Sequence, residues 1–243
     1  MNTIAPILDE FGTRQEWSSY SDGEHTTWGL LWELRMRDLP LQASHAWLRG
    51  ADSIGLSADQ LPDLAQMNRR LAALTGWEAV AVTGYLPADA FFTMLAQRRF
   101  PTTIGIRPMS RLDYTPEPDI FHDVFGHVPL HADCLFADFL QAFGARASQA
   151  TTETERERLT RLFWFTVEFG LVREAGAMRV YGSGLISSSA DAANALGEAC
   201  VRRPFDLDAI LAQPFRIDEL QPVLYFVDDF SQLFEALSRL PGR

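Results

Sequence analysis

Cysteine is scarce in this chain: Cys134 and Cys200 are the only two, and they form no CxxC pair. That excludes a disulfide framework and a cysteine-ligated zinc module, and it predicts a cytoplasmic protein with reduced thiols. Basic residues are outnumbered, 21 Lys and Arg against 32 Asp and Glu, a net charge of −11. A nucleic acid or an anionic membrane surface as partner would require a basic face, so neither is expected. No apolar run approaches the roughly 18 residues that span a bilayer, and the opening MNTIAPILDEFGTRQEW lacks a charged-then-apolar leader pattern. Repeats, low-complexity tracts and linkers are absent as well.

The 243 residues suit one large domain with ample core. Residues 1–16 show no clear period and are predicted to be a mobile or loosely docked arm, with residues 17–243 as the domain. Ser21-Asp-Gly-Glu24 has the form of a capping box, opening a helix whose apolar stripe is Trp28, Leu31, Trp32 and Met36, with Arg35 at its edge. Further helices are predicted over 59–74, stopped by Gly76, then from Pro87 to Gln97, and over 119–127, 133–147, 153–173 and 229–240. Pro129 is expected to end the helix over 119–127 by biasing Val128 away from helical dihedrals. Strands are predicted at Phe100–Arg107, in MRVYGSGLI and in PVLYFV. The expected fold class is mainly α with a few short β-strands.

Histidine is also rare, yet two of the five, His122 and His127, lie in YTPEPDIFHDVFGHVPL beside Asp119 and Asp123. Neutral imidazole is a common metal ligand. A spacing of five diverges by roughly 140° on an α-helix, so both rings reach one ion only if the last turn is distorted. The pair alone is equally compatible with two structural histidines. Downstream, LFWFTVEFGLV is an apolar helical run broken by one carboxylate, Glu168, which is costly to bury unless paired with a cation or a metal. Pairing with an arginine such as Arg107 or Arg173 is one solution. Two histidines and a carboxylate around a non-haem ferrous ion are the other, leaving positions open for oxygen and substrate.

These runs, followed by YGSGLISS, resemble the pterin-dependent aromatic amino acid hydroxylases, and among them most the short bacterial phenylalanine hydroxylases. The likeness extends from about Trp17 to Phe234, and the combination of PDxxHDxxGHVPL with TVEFGL is highly specific. It implies a ferrous ion held by His122, His127 and Glu168, with tetrahydropterin as cofactor and molecular oxygen as co-substrate. It further implies that Arg107 pairs with the substrate carboxylate, a task for a planar guanidinium, and that Asp119 fixes a ligand ring or a nearby cation. By the same resemblance the substrate ring lies near Pro118, Trp164, Phe169 and Gly184, and its polar end near Thr115, Ser187 and Ser188. The pterin stacks on Phe91, with Gly84, Leu86 and Asp123 around it. Without the resemblance, Phe91 and Trp164 read as core, Arg107 as a surface ion pair, and the three serines as a turn and cap.

The implied substrate is a small aromatic amino acid. Trp164 and the apolar Ile217, where tyrosine hydroxylases carry an acid, favour phenylalanine hydroxylated at the 4-position. Three departures from the family stand out: Ile104-Gly105 in place of bulky aromatics, Phe163 for a usual Tyr, and Ser183 for a usual Ala. If Gly105 shares a strand face with Arg107, hydroxylation at the 3-position or a larger substrate such as tryptophan is the alternative. Zinc hydrolysis is a different chemistry open to the same three ligands. The family's regulatory domain and tetramerisation helix find no counterpart in the sequence, so a monomer is expected.

Overall fold

The reciprocal cap expected at Ser21 is present in the structure, a computed structural model that describes residues 4–112 and 117–240. Ser21 accepts from the Glu24 N–H, and the Glu24 carboxylate accepts from Ser21, at the head of a 15-residue helix. In chain order the α-helices begin with α1 (Ala5–Phe11), α2 (Asp22–Met36), α3 (Leu39–Gln42), α4 (His45–Ile54) and α5 (Leu64–Thr75). Strand β1 (Glu78–Ala81), α6 (Ala88–Leu95) and β2 (Arg99–Thr102) lead to a π-helix, Phe121–His127, and a 3-10 segment, Val128–Ala132. Then come α7 (Cys134–Ala147), α8 (Glu153–Phe163) and a second π-helix, Trp164–Glu168. The chain closes with β3 (Leu171–Glu174), β4 (Ala177–Val180), α9 (Ser183–Ser187), α10 (Ser189–Leu196), β5 (Val201–Pro204), α11 (Leu207–Ala212), β6 (Val223–Val227) and α12 (Ser231–Arg239).

The helical majority is as expected, and several boundaries move for physical reasons. Asp63, not Asp59, caps α5, and Gly76 ends it at φ 77°. Strand β2 stops at Thr102 because only Arg99–Thr102 has a partner, pairing in parallel with Glu78–Ala81. The predicted helix over 153–173 ends at Glu168, and Leu171–Glu174 instead pairs with both β4 and β6. MRVYGSGLI divides into β4 and the short α9. The helix ends at His127 as expected, but Val128 keeps helical dihedrals (φ −63°, ψ −33°), and the chain runs on into a 3-10 turn with Pro129 in its first turn. The described part of the predicted arm is docked: it contains α1, and the Gly12 bridge to Val82 and the Gln15 bonds to Pro62 and Leu64 tie it down.

A four-stranded sheet, ordered β4-β3-β6-β5, supports one side of the molecule. The first π-helix is seated in an aromatic box. Phe121 and Phe125 stack at 4.4 Å, Trp28, Trp32 and Trp47 meet them edge-on, and the Trp47 indole N–H donates to the Phe125 carbonyl. Arg35, expected at the edge of the α2 stripe, is 2% exposed. Its guanidinium donates to the Leu185 and Ile186 carbonyls and to Ser189 Oγ, satisfying the end of α9 with a buried cation. No helix among the described residues is long and apolar enough to cross a membrane.

Candidate metal centre and surrounding pocket

The five-residue histidine spacing is awkward on an α-helix and natural on a π-helix, where backbone bonds run i to i+5 and residues five apart share a face. His122 and His127 occupy the second and last positions of the first π-helix. Their rings stand perpendicular, at 89°, with centroids 5.1 Å apart. Glu168 ends the second π-helix and faces both, with Oε1 3.2 Å from His127 Nε2 and Oε2 3.7 Å from His122 Nε2. One ligand atom from each of the three lies within 4.8 Å of the others.

Hydrogen bonding fixes the ring of His122. Ser187 Oγ donates to the Ser183 carbonyl at 2.8 Å, so it accepts from His122 Nδ1, 2.9 Å away. The Nε2 lone pair is thereby turned toward Glu168. Burial pushes the His122 pKa below its usual value, Glu168 opposing and His127 assisting, so the ring is neutral near pH 7. A bare imidazole nitrogen facing a carboxylate oxygen is an acceptor against an acceptor, and a cation between them resolves the mismatch. Burial raises the Glu168 pKa, yet His127 and His122 and a bond from Ser183 outweigh it and hold the carboxyl at about 2. Two imidazole nitrogens and one anionic oxygen suit a divalent ion of ferrous type. The donor set fits the implied metal.

The glycines of YGSG allow this assembly. A Cβ on Gly182 would lie 2.4 Å from the Glu168 carbonyl and 2.5 Å from the Gly170 nitrogen, so only glycine permits α9 to start against Glu168. The Tyr181 and Gly182 N–H groups both donate to the Gly170 carbonyl and lock the approach.

Arg107 and Asp119 form a buried pair beside the centre. Asp119 Oδ2 accepts from Arg107 Nε at 2.7 Å and from its backbone N–H at 3.0 Å, while Oδ1 accepts from Nη2 at 2.9 Å. Oδ1 also accepts from the His122 backbone N–H, so Asp119 steadies the cation and the helix turn and makes no bond to the imidazole. Burial pushes Asp119 up, but the Arg107 bonds and charge bring it below the ordinary carboxylate range. Leu112 takes one Nη1 hydrogen, so among the described residues one N–H on each of Nη1 and Nη2 has no partner and is available to a further carboxylate.

Trp164 is sandwiched between Phe169, at 4.6 Å, and Phe215, at 4.4 Å, and its indole N–H donates to Gln221. Gly184 lies under the Phe169 ring, where a Cβ would come within 2.9 Å. Pro118 is half-buried at the entry to the first π-helix. Phe91, half-buried on α6, meets Phe92, Phe100 and Phe163 edge-on. Buried Asp123 accepts from the backbone N–H and hydroxyl of Thr103, both at 2.7 Å, and burial raises its pKa. Gly84 and Leu86 lie half-buried on the loop before α6, with open space where a Gly84 Cβ would point. Thr115 lies outside the described residues.

Several sequence expectations change here. Ser187 bonds the His122 imidazole, and Ser188 caps α10 through the Asp191 N–H. Ile217 is 79% exposed and lies outside the Trp164–Phe169–Phe215 stack. Gly105 does not share a strand face with Arg107; it is exposed, and an added Cβ would meet nothing within 4 Å. Ser183, Thr103, Phe215 and Gln221 escaped sequence reasoning as site residues. Only Ser183 left a signal, as a departure from its expected neighbourhood.

A profile of the family described as biopterin-dependent aromatic amino acid hydroxylase matches residues 8–240. Phenylalanine-4-hydroxylase of Chromobacterium violaceum is 41% identical over 229 residues, which cover 94% of this chain and 77% of the relative. That of Caulobacter vibrioides is 42% identical over 226 residues, covering 93% and 77%. The crystal structure of the Chromobacterium violaceum enzyme with bound iron(III) and oxidised 7,8-dihydrobiopterin superposes with a TM-score of 0.90. It is 41% identical to this chain, with 94% of this chain and 84% of the other covered. The π-helical histidine pair, the facing glutamate and these similarities agree, and the chain belongs to the biopterin-dependent aromatic amino acid hydroxylases.

Proposed function

We propose that the protein is a non-haem iron, tetrahydropterin-dependent monooxygenase that hydroxylates L-phenylalanine at the 4-position of its ring, giving tyrosine. The observation that carries this reading is the convergence of His122 Nε2, His127 Nε2 and the Glu168 carboxylate beside a bidentate-ready arginine and an aromatic stack. The relatives named phenylalanine-4-hydroxylase support the choice of substrate and ring position. Bound at this centre, ferrous iron and the reduced pterin would together supply the reductive activation of molecular oxygen.

The residues of the chain then divide the remaining work. The two free N–H groups of Arg107 would take the substrate carboxylate as a charge-assisted pair, with the guanidinium already aimed by Asp119. Trp164 and Phe169, with Pro118 and Gly184, would hold the ring by apolar contact and exclude water from the reacting carbon. Phe91 offers the pterin an aromatic face, and Asp123, Gly84 and Leu86 would surround its polar bicycle. Ser187 and Asp119 keep His122 in place from opposite sides, one through the ring and one through the backbone. Thr115 retains its proposed place near the amino acid's polar end.

Residues 17–243 are read as the catalytic domain, and the protein as a cytoplasmic monomer. The free thiols, Cys134 exposed and Cys200 buried, support a reducing compartment. The test of function is to incubate iron-loaded protein with phenylalanine, a tetrahydropterin and oxygen, and to identify the product. Tyrosine formed in step with pterin oxidation is expected. Pterin oxidation without any hydroxylated amino acid, or a product hydroxylated only at another ring carbon, would overturn the assignment.

A further inference from the structure

Glu168 is the one charged member of the ligand set, and its two oxygens are not equivalent. Oε1 lies 3.2 Å from His127 Nε2. Oε2 accepts a 2.6 Å hydrogen bond from Ser183 Oγ, a residue only 1% exposed. Ser183 Oγ also lies 3.4 Å from the Val167 carbonyl. One hydroxyl proton cannot serve both, and the short bond to an ionised oxygen is the stronger by roughly twofold. The Ser183 hydroxyl therefore directs its proton at Glu168 Oε2.

Resting on the metal-centre reading above, we propose that Ser183 is a positioning residue that holds Glu168 as a one-oxygen ligand. Its hydroxyl occupies Oε2 and leaves Oε1 to the metal.

Three features argue that this contact is built in. Ser183 is held from behind, since a Cβ on Gly126 would lie 3.1 Å from its carbonyl and 3.2 Å from its Cβ, so the first π-helix packs directly on it. The same residue controls the second ligand, because its carbonyl takes the Ser187 proton and so obliges Ser187 to accept from His122. One serine thus sets the orientation of a carboxylate through its side chain and of an imidazole through its backbone. Finally, the far end of α9 is clamped by the three Arg35 bonds, so the hydroxyl cannot drift from the carboxylate without breaking a buried network. The family's usual alanine lacks this bond, so the hydroxyl is a restraint on carboxylate rotation particular to this chain.

Alanine at 183 removes the hydroxyl and nothing else, and leaves the backbone link to Ser187 intact. The experiment adds Co(II) to metal-free native protein, Ser183→Ala, Glu168→Gln and the double variant. Affinity is followed by titration, ligand geometry by the visible d–d bands, and fold by thermal melting of the metal-free forms. Native protein should bind one Co(II). Ser183→Ala should weaken binding about 10- to 100-fold, as loss of a ligand's supporting partner generally does, and shift the bands toward higher coordination. In the Glu168→Gln background the same change should alter affinity by less than about threefold, because the coupling runs through the carboxylate. Native affinity and an unchanged spectrum in Ser183→Ala would overturn the proposal while leaving the metal centre standing. An equal loss in both backgrounds would overturn it too, by assigning the effect to packing. Native protein that takes up no metal would remove the centre itself, and the proposal with it.

Discussion

Replacing Arg107 with lysine separates substrate recognition from metal binding. The guanidinium makes two bonds to Asp119, at 2.7 and 2.9 Å, and one to the Leu112 carbonyl, and keeps two N–H groups for the substrate. An ammonium keeps the charge and so leaves Asp119 ionised, but it lacks the planar fork and cannot bond Asp119 and a second carboxylate bidentately. Losing one charge-assisted bond to the substrate is worth about 1.5–3 kcal/mol. That corresponds to a roughly 10- to 150-fold weaker affinity for phenylalanine. Metal affinity should stay within about threefold of native, because Asp119 retains its bond to the His122 backbone and no ligand atom is touched. The assay pairs the KM for phenylalanine with calorimetric binding to metal-loaded protein, alongside an iron titration. An unchanged affinity for the amino acid would show that its carboxylate binds elsewhere. A parallel collapse of iron binding would show that Arg107 supports the centre and not the substrate.

Acid stability should carry the signature of Asp119. Its folded pKa is depressed, so its contribution is fully present above the unfolded value near 3.8 and is lost as pH falls through the lower folded value. Urea midpoints followed downward from pH 5 should therefore fall more steeply in native protein than in Asp119→Asn. Arg35→Met should leave the Leu185 and Ile186 carbonyls without their donors, at a cost of about 2–4 kcal/mol. In a chain of this length that lowers Tm by roughly 5–15 °C, measured on metal-free protein. Gly182→Ala would force a methyl to 2.4 Å from the Glu168 carbonyl, so stability should drop by about 1–3 kcal/mol and metal uptake should fall with it.

Local chemistry made part of this molecule legible. The Ser21–Glu24 box and the left-handed Gly76 are encoded within four residues of where they act, and both are found as written. The proposed metal ligands stood out because two scarce histidines and one carboxylate interrupt apolar runs. What joins them did not. A spacing of five argues against a shared face only if the helix is α, and the π-helix that reconciles it depends on packing by Trp28, Trp32 and Trp47 from distant segments. The run after Glu168 is continuously apolar, which helix periodicity cannot tell from a buried strand, and its pairing with β6 lies more than 50 residues away. Arg35 looked misplaced on its stripe because the carbonyls that justify it come 150 residues later. Gly105 misled for a related reason: strand period was extended past Thr102, where the ladder has already ended.

The central claim is that one ferrous ion is held by His122, His127 and Glu168. Its most direct test is a crystal of the native protein loaded with ferrous iron under anaerobic conditions, with diffraction collected at the iron absorption edge. A single anomalous peak bonded to His122 Nε2, His127 Nε2 and the Glu168 carboxylate is the result predicted here. Iron bound at full occupancy anywhere else, or a peak that leaves any of these three side chains outside its coordination sphere, would contradict it.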